Sequence, residues 1–274
     1  MSITANQERG FYDRVYSRFQ GVPDHALVCN RKTLEADLSN PAQPIHERRR
    51  LYETVLKALL AQPIAGSSVL DYGCGTGEWG LLLAGEGALV TCLDLSPVAI
   101  ALVLRRAAAS GVGDRLRGEA RDASDLTCFP SDAFDLIFAS AAIHHTLKYP
   151  NALEELLRVL KPGGRLILAE TYGNNKLLNI ARRLGWRLRS QPSEAGEDIL
   201  FDDEHVRILR ERLAEVELIP LNLLAMTKRL LRGQFTNGFA RLSMAALEAL
   251  DRMLLGAIPG LKRYCGEVVV LGRK

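Results

Sequence analysis

The chain has 274 residues, 47% hydrophobic and 24% charged, with 35 basic and 32 acidic side chains for a net charge of +3. That balance belongs to an ordinary globule with a sizeable core, and it excludes a disordered chain, a collagen-like fibre and a small disulfide scaffold. The charge is too mild to argue for nucleic acid, and the five cysteines (Cys29, Cys74, Cys92, Cys128, Cys265) are far apart and lack a CxxC pair, so they read as reduced thiols.

The first residues, MSITANQERGFYDR, contain no apolar stretch of the kind a signal peptide needs. No apolar run reaches the ~18 residues of a membrane span, so a cytoplasmic location is expected. Residues 1–43 are polar and irregular, with aromatics at Phe11, Tyr12, Tyr16 and Phe19. They are read as an N-terminal lid segment, and residues 44–274 as one domain.

The periodicity then alternates. Pro44–Leu60 has helical apolar spacing, and Ser67–Tyr72 reads as a buried strand followed by a glycine turn, Gly73–Gly77. Glu78–Ala84 opens a helix and Ala88–Leu93 is a second strand. Ser96-Pro97 is a helix start, a hydroxyl cap followed by proline where its missing N–H costs nothing. That helix runs to Ser110, and Gly111 stops it. Arg115–Arg121, Phe134–Ser140 and Arg165–Glu170 are further strands, with a helix over Asn151–Leu160 before the last. Residues 174–274 are mostly helical, with insertions at about 174–213 and 225–262, and end in one strand.

Strands alternating with helices imply parallel pairing through helical crossovers, hence a doubly wound α/β sheet. Ligands in such sheets bind beyond the carboxyl ends of the strands. There, Asp71-Tyr72-Gly73-Cys74-Gly75-Thr76-Gly77 lets a ligand lie against bare backbone and offers helix N–H groups to an anion; the same turn also serves as a plain tight connection. Asp94 ends the second strand, where a carboxylate can accept from ribose hydroxyls. Together the two indicate an adenosine site. The third glycine arrives one residue early for the dinucleotide fingerprint, and Asp71 lies two residues before the first. A pyrophosphate does not call for a carboxylate that close, whereas a ligand with an amino group does, which favours S-adenosylmethionine over NAD.

VLDYGCGTG, VTCLDLSP, GEARDASDL, FDLIFASAAIHH and LRVLKPGGRLILAE, in that order over about residues 50–172, resemble the class I S-adenosylmethionine-dependent methyltransferases, in the small-molecule branch similar to the ubiquinone-biosynthesis type. The resemblance implies a Rossmann-like, mostly parallel seven-stranded sheet with an antiparallel last strand and helical lid insertions. Glu267–Leu271 would be that last strand and Val216–Asn222 its hairpin partner. It implies that Asp71 faces the methionine amino group and that Gly73, Cys74, Gly75 and Gly77 wrap the cofactor. It further implies Asp94 on the ribose, Leu95 beside the adenine, Asp122 and Ala123 on the adenine edge, and Ser140 bordering the methionine part.

The expected chemistry is in-line displacement at a sulfonium methyl, which rests mainly on alignment and exclusion of water. A base helps a hydroxyl nucleophile, and His145 and His144 follow the fourth strand; their plain role would be to cap or pack the next helix. Tyr12 and Tyr16, one helical turn apart, are candidates for the substrate side, or for packing on the sheet. No His/Asp/Glu cluster has metal spacing, so no metal is expected.

The acceptor is read as a small, apolar or aromatic molecule, with oxygen favoured over carbon or nitrogen. Alternatives are a fold-retaining binding subunit and an enzyme that uses the sulfonium without transferring methyl. Basic residues without acids over 174–193 and acidic ones over 194–204 would pair with each other or be solvated, whereas a basic, apolar stretch over Lys228–Arg241 suggests a lid, a membrane-surface contact or a clamp for an anionic substrate. Leu242, Ala246, Leu250 and Met253, with Phe239 and Leu254, form a helical stripe that would roof a pocket or make a homo-oligomer contact.

Overall fold

A computed structural model describes residues 5–149, 151–181 and 200–274. Seven strands form one sheet in the order β3-β2-β1-β4-β5-β7-β6. β1 (Ser68–Tyr72), β2 (Leu89–Asp94), β3 (Leu116–Ala120), β4 (Phe134–Ser140) and β5 (Leu160–Thr171) pair in parallel. β7 (Glu267–Arg273) runs antiparallel to both its neighbours, β5 and β6 (Glu215–Leu221). This is the expected sheet, hairpin included. β5 starts earlier than the sequence suggests, because Phe134 pairs with Leu160 before a register shift resumes the ladder at Leu136 and Arg165. The Lys161-Pro162-Gly163-Gly164 turn is thus an irregularity within the strand.

Side chains alternate between the two faces of each strand. On one face Val69, Cys92, Phe138 and Val269 pack under α3 (Arg49–Leu59), α4 (Glu78–Gly85) and α5 (Pro97–Ala109) through Leu51, Val55, Leu81 and Val103. On the other, Leu70, Ile137, Leu168 and Val270 meet Ile143 of α6 (Ile143–Thr146), Leu156 of α7 (Ala152–Val159) and Leu209 of α8 (Asp203–Arg212). The hydroxyl of Ser96 accepts from Ala99 N and caps α5 as its sequence requires. A 3-10 turn, Pro44–Arg48, precedes α3, so the single helix expected from Pro44 breaks at its first turn.

The N-terminal zone is ordered where an irregular segment was expected. It forms α1 (Ala5–Ser17) and α2 (Arg31–Ser39), the latter closed by a reciprocal Asn30–Thr33 capping box. α1 is tied to the start of α5 by Asp13, which accepts from Ser96 Oγ, and the segment after it is held by Arg105, which donates to Asp24 and to the Gln20 and Val22 carbonyls. Its own sequence is mostly polar, so these long-range contacts, not propensity, hold it in place.

In the tail, α9 (Gly238–Ala257) is tied to α3 by Arg49, one guanidinium nitrogen of which donates to both Glu248 carboxylate oxygens at 2.7 and 2.9 Å. The alternating charge blocks expected over 174–204 fall largely outside the described residues. The basic stretch from Lys228 is no anion clamp at two of its cations: Lys228 is buried and paired with Glu267 at 2.7 Å, and Arg232 is paired with Glu47. Its apolar side completes a small core of Ala225, Phe235 and Met244, as a lid would. Among the described residues no helix is long and apolar enough to cross a membrane, all five cysteines are free thiols, and no group of three metal-ligating side chains gathers.

Candidate active site

The strand order reverses between β1 and β4, and the loops after these strands face each other across a cleft of about 400 Å³. Gly73 and Gly75 sit at φ +67° and +54°, which L side chains rarely adopt. A Cβ on Gly73 would collide with the Ala142 side chain across the crevice, and one on Gly75 would come within 3.1 Å of Tyr16 Oη. Glycine is therefore required here both by backbone conformation and by close approach. Gly77 differs from its two neighbours. It caps α4, packs against Val103, and does not line the cleft.

Asp94 is buried at the end of β2. Its Oδ2 accepts from Gly75 N and its Oδ1 from Ser96 N, both at 2.9 Å. Each carboxylate oxygen has a second lone pair, so two further donors can be accepted. Burial raises its pKa against the pull of those backbone N–H groups. Asp71 accepts from Gly80 N at 2.9 Å, tying α4 to β1. Burial pushes its carboxyl up to about 7, opposed by the Gly80 N–H, with Glu78 and Asp94 raising it further. A buried acid facing a cleft with other acids nearby suits a cationic ligand. Cys74, Leu95, Asp122, Ala123 and Ser140 also line the cleft, so among the expected cofactor residues only Gly77 stands away from it. The bare glycine backbone, the carboxylate at the end of β2 and the buried Asp71 fit an adenosine that carries a positively charged sulfonium and an amino group.

The opposite wall comes from the loop after β4 and from α1. Ala141 adopts φ +52°, uncommon for a residue with a side chain, and donates its N–H to the Ala169 carbonyl. Glu170, fully buried on β5, secures the next turn. Its Oε1 accepts from the N–H groups of Ala142 and Ile143, and His144 Nδ1 lies 2.8 Å from Oε2. Burial pushes the Glu170 carboxyl up, but His144 and the two N–H groups outweigh it and hold it below the usual range. Replacing Glu170 by alanine would leave two buried N–H groups unsatisfied and should cost about 3 kcal/mol of unfolding free energy, measured by urea titration.

The two histidines therefore separate. His144 is turned to Glu170 and does not line the cleft; its place is in the support of the loop. His145 lines it. Its Nε2 is 3.1 Å from Tyr12 Oη, and its Nδ1 lies 2.9 Å from Glu8 Oε1 without the alignment of a hydrogen bond. Glu8 also binds Lys148 at 3.0 Å. Burial raises the Glu8 carboxyl, but His145 and Lys148 outweigh it and lower its pKa. Tyr12 and Tyr16 both border the cleft, their rings stacked with centroids 6.0 Å apart.

Sequence reasoning missed Glu8, Arg48, Tyr52 and Lys148 on the cleft wall. Glu8 was detectable, since Glu8, Tyr12 and Tyr16 recur every fourth residue on one helix face. Arg48 and Tyr52 follow the same rule but depend on how the break before α3 orients them. Trp79 packs between Tyr52 and Phe138 and also borders the cleft.

Residues 69–164 match a family model described as a methyltransferase domain. The chain is 39% identical over 108 residues to a demethylmenaquinone methyltransferase of Clavibacter sepedonicus, covering 39% of this chain and 42% of that protein. It is 36% identical over 128 residues to the S-adenosyl-L-methionine-dependent Diels-Alderase iccD of Talaromyces variabilis, covering 46% and 44%. Both matches thus span less than half of the relative. In fold, the crystal structure of the [4+2]-cyclase SpnF aligns over 100% of this chain and 97% of its own, with a TM-score of 0.57 at 20% identity. Over residues 69–164, on the strands that form the cleft, the chain is thus similar to a methyltransferase domain.

Proposed function

We propose that the protein methylates a hydroxyl of a small, apolar or aromatic molecule, using S-adenosylmethionine, with His145 as the general base. The observation that carries this reading is the position of His145, on the cleft wall facing the glycine loop, between Glu8 and Tyr12. Bound S-adenosylmethionine supplies a methyl group activated by the adjacent sulfonium, which the acceptor oxygen takes as the carbon–sulfur bond breaks. Glu8 beside Nδ1 favours the tautomer protonated there, leaving Nε2 to accept the hydroxyl proton, directly or through Tyr12. Asp94 would hold the ribose hydroxyls, Asp122 the adenine edge and Asp71 the amino group. Tyr52, Trp79 and Tyr149 give the cleft an aromatic wall.

Replacing Asp94 by alanine should weaken S-adenosylhomocysteine binding roughly tenfold or more in calorimetry, since hydrogen bonds to a charged group are lost. Unchanged affinity would remove the ribose assignment.

A second reading is favoured by the Diels-Alderase relative and the cyclase fold: the cleft holds the sulfonium nucleoside as a fixed positive charge and transfers nothing. Mass spectrometry of a turned-over substrate separates the two. Methyl transfer adds one methylene to the product mass with an equivalent of S-adenosylhomocysteine; the second reading gives neither.

A further inference from the structure

Helix α9 is apolar on both sides. Ala240, Met244 and Leu255 face inward. The outward side carries Phe239, Leu242, Ala246, Leu250 and Met253, with Phe239 77% and Leu242 72% exposed, and a three- or four-residue spacing keeps them in one line. Ile258, also exposed, follows the patch directly at the C-terminal end of the helix. A line of large apolar side chains left in water along a whole helix marks an interaction surface.

The charge around it is of one sign. Residues 222–266 hold seven basic side chains and two acids, Glu248 and Asp251. Both acids are turned inward: Glu248 binds Arg49, and Asp251 is buried, accepting from the N–H groups of Leu223, Leu224 and Ala225 beside Arg50. Arg241, Arg252 and Lys262 are exposed, with no acid in ion-pair range among the described residues. An antiparallel self-pairing centred on Ala246 would bring Arg241 of one copy beside Arg252 of the other, like charges twice over. A negatively charged surface has no such penalty.

We propose that α9 docks on an anionic lipid surface, lying in its plane with Phe239, Leu242 and Met253 inserted and Arg241, Arg252 and Lys262 at the headgroups. The combination of an apolar line and a basic rim is what interfacial helices use. Through the Arg49–Glu248 pair the docked helix is joined to α3, whose Tyr52 lines the cleft. Docking would thus bring the substrate side close to a medium that concentrates apolar acceptors. The surface is independent of the proposed chemistry.

The test is sedimentation of the full chain with phosphatidylcholine vesicles, with and without phosphatidylglycerol, alongside light scattering without lipid. Expected are a monomer in solution, binding to the phosphatidylglycerol vesicles only, and weakening by salt. The double variant Phe239→Ser/Met253→Ser should bind roughly tenfold less or weaker still, with melting temperature and S-adenosylhomocysteine affinity kept. Arg241→Gln/Arg252→Gln should lose roughly twenty-fivefold, at about fivefold per charge. Absence of binding to the anionic vesicles, or equal binding to the neutral ones, would overturn the proposal. So would a wild-type dimer that Phe239→Ser/Met253→Ser converts to a monomer, since the face would then be a subunit contact.

Discussion

Replacing His145 by alanine is expected to lower the turnover number by about 10² to 10⁴, the range a positioned general base contributes, while leaving S-adenosylhomocysteine affinity unchanged. The split follows from geometry. His145 reaches the cleft from α6, whereas the ribose-type carboxylate and the glycine loop follow β2 and β1. Glu8→Gln should fall less, by roughly tenfold, because it keeps an acceptor beside Nδ1 but loses the charge that steadies a protonated imidazole. Tyr12→Phe distinguishes the two routes for the proton. A loss matching that of His145→Ala assigns the relay through the phenol, and full activity assigns direct transfer to Nε2. If His145→Ala keeps turnover within about threefold of wild type, no base is in use and the hydroxyl assignment fails with it.

The sheet and most of the cleft wall that follows β1 and β2 were legible in the sequence for a physical reason. A parallel strand buried on both faces must be continuously apolar, and it must end where the ligand sits, so VLDY and FDLIFAS mark both the strand and the site. The cleft's other wall was legible only in part, because it depends on contacts between residues more than a hundred positions apart, such as Glu8 with His145 and Lys148. Nothing local distinguishes His144 from His145. Only the position of Glu170, buried beneath the turn, selects which imidazole is held back and which faces the cleft. The three glycines of the loop look equivalent in sequence and are not: two border the cleft and Gly77 answers to Val103 behind it. The stripe on α9 had the right period but the wrong direction for roofing a pocket, because the same helix also has an apolar inner face and periodicity alone does not say which face turns inward.

Asp71→Asn should raise the melting temperature of the ligand-free protein at pH 8 and weaken its cofactor at the same pH. The Asp71 carboxyl is raised from 3.8 to about 7 by burial. A raised acid binds its proton more tightly folded than unfolded, so its contribution is full below about pH 4 and is lost as pH climbs through 7. The difference amounts to about 4 kcal/mol, at ~1.4 kcal/mol per unit. Asparagine retains an oxygen for Gly80 N and carries no charge, so it escapes the loss. Its advantage over wild type should be near zero at pH 4 and grow to several degrees at pH 8 by calorimetry. The bound amino group reverses the sign. A cation beside Asp71 lowers its pKa, so the rise in wild-type melting temperature on adding S-adenosylhomocysteine should be larger at pH 8 than at pH 6. In Asp71→Asn that pH dependence should flatten and affinity at pH 8 should fall roughly tenfold. A variant no more stable than wild type at pH 8 would mean that the carboxylate is compensated without the ligand. Equal affinity would mean that the amino group is held elsewhere. Either result separates Asp71's structural tie to α4 from any part in binding, which its hydrogen bond to Gly80 alone does not do.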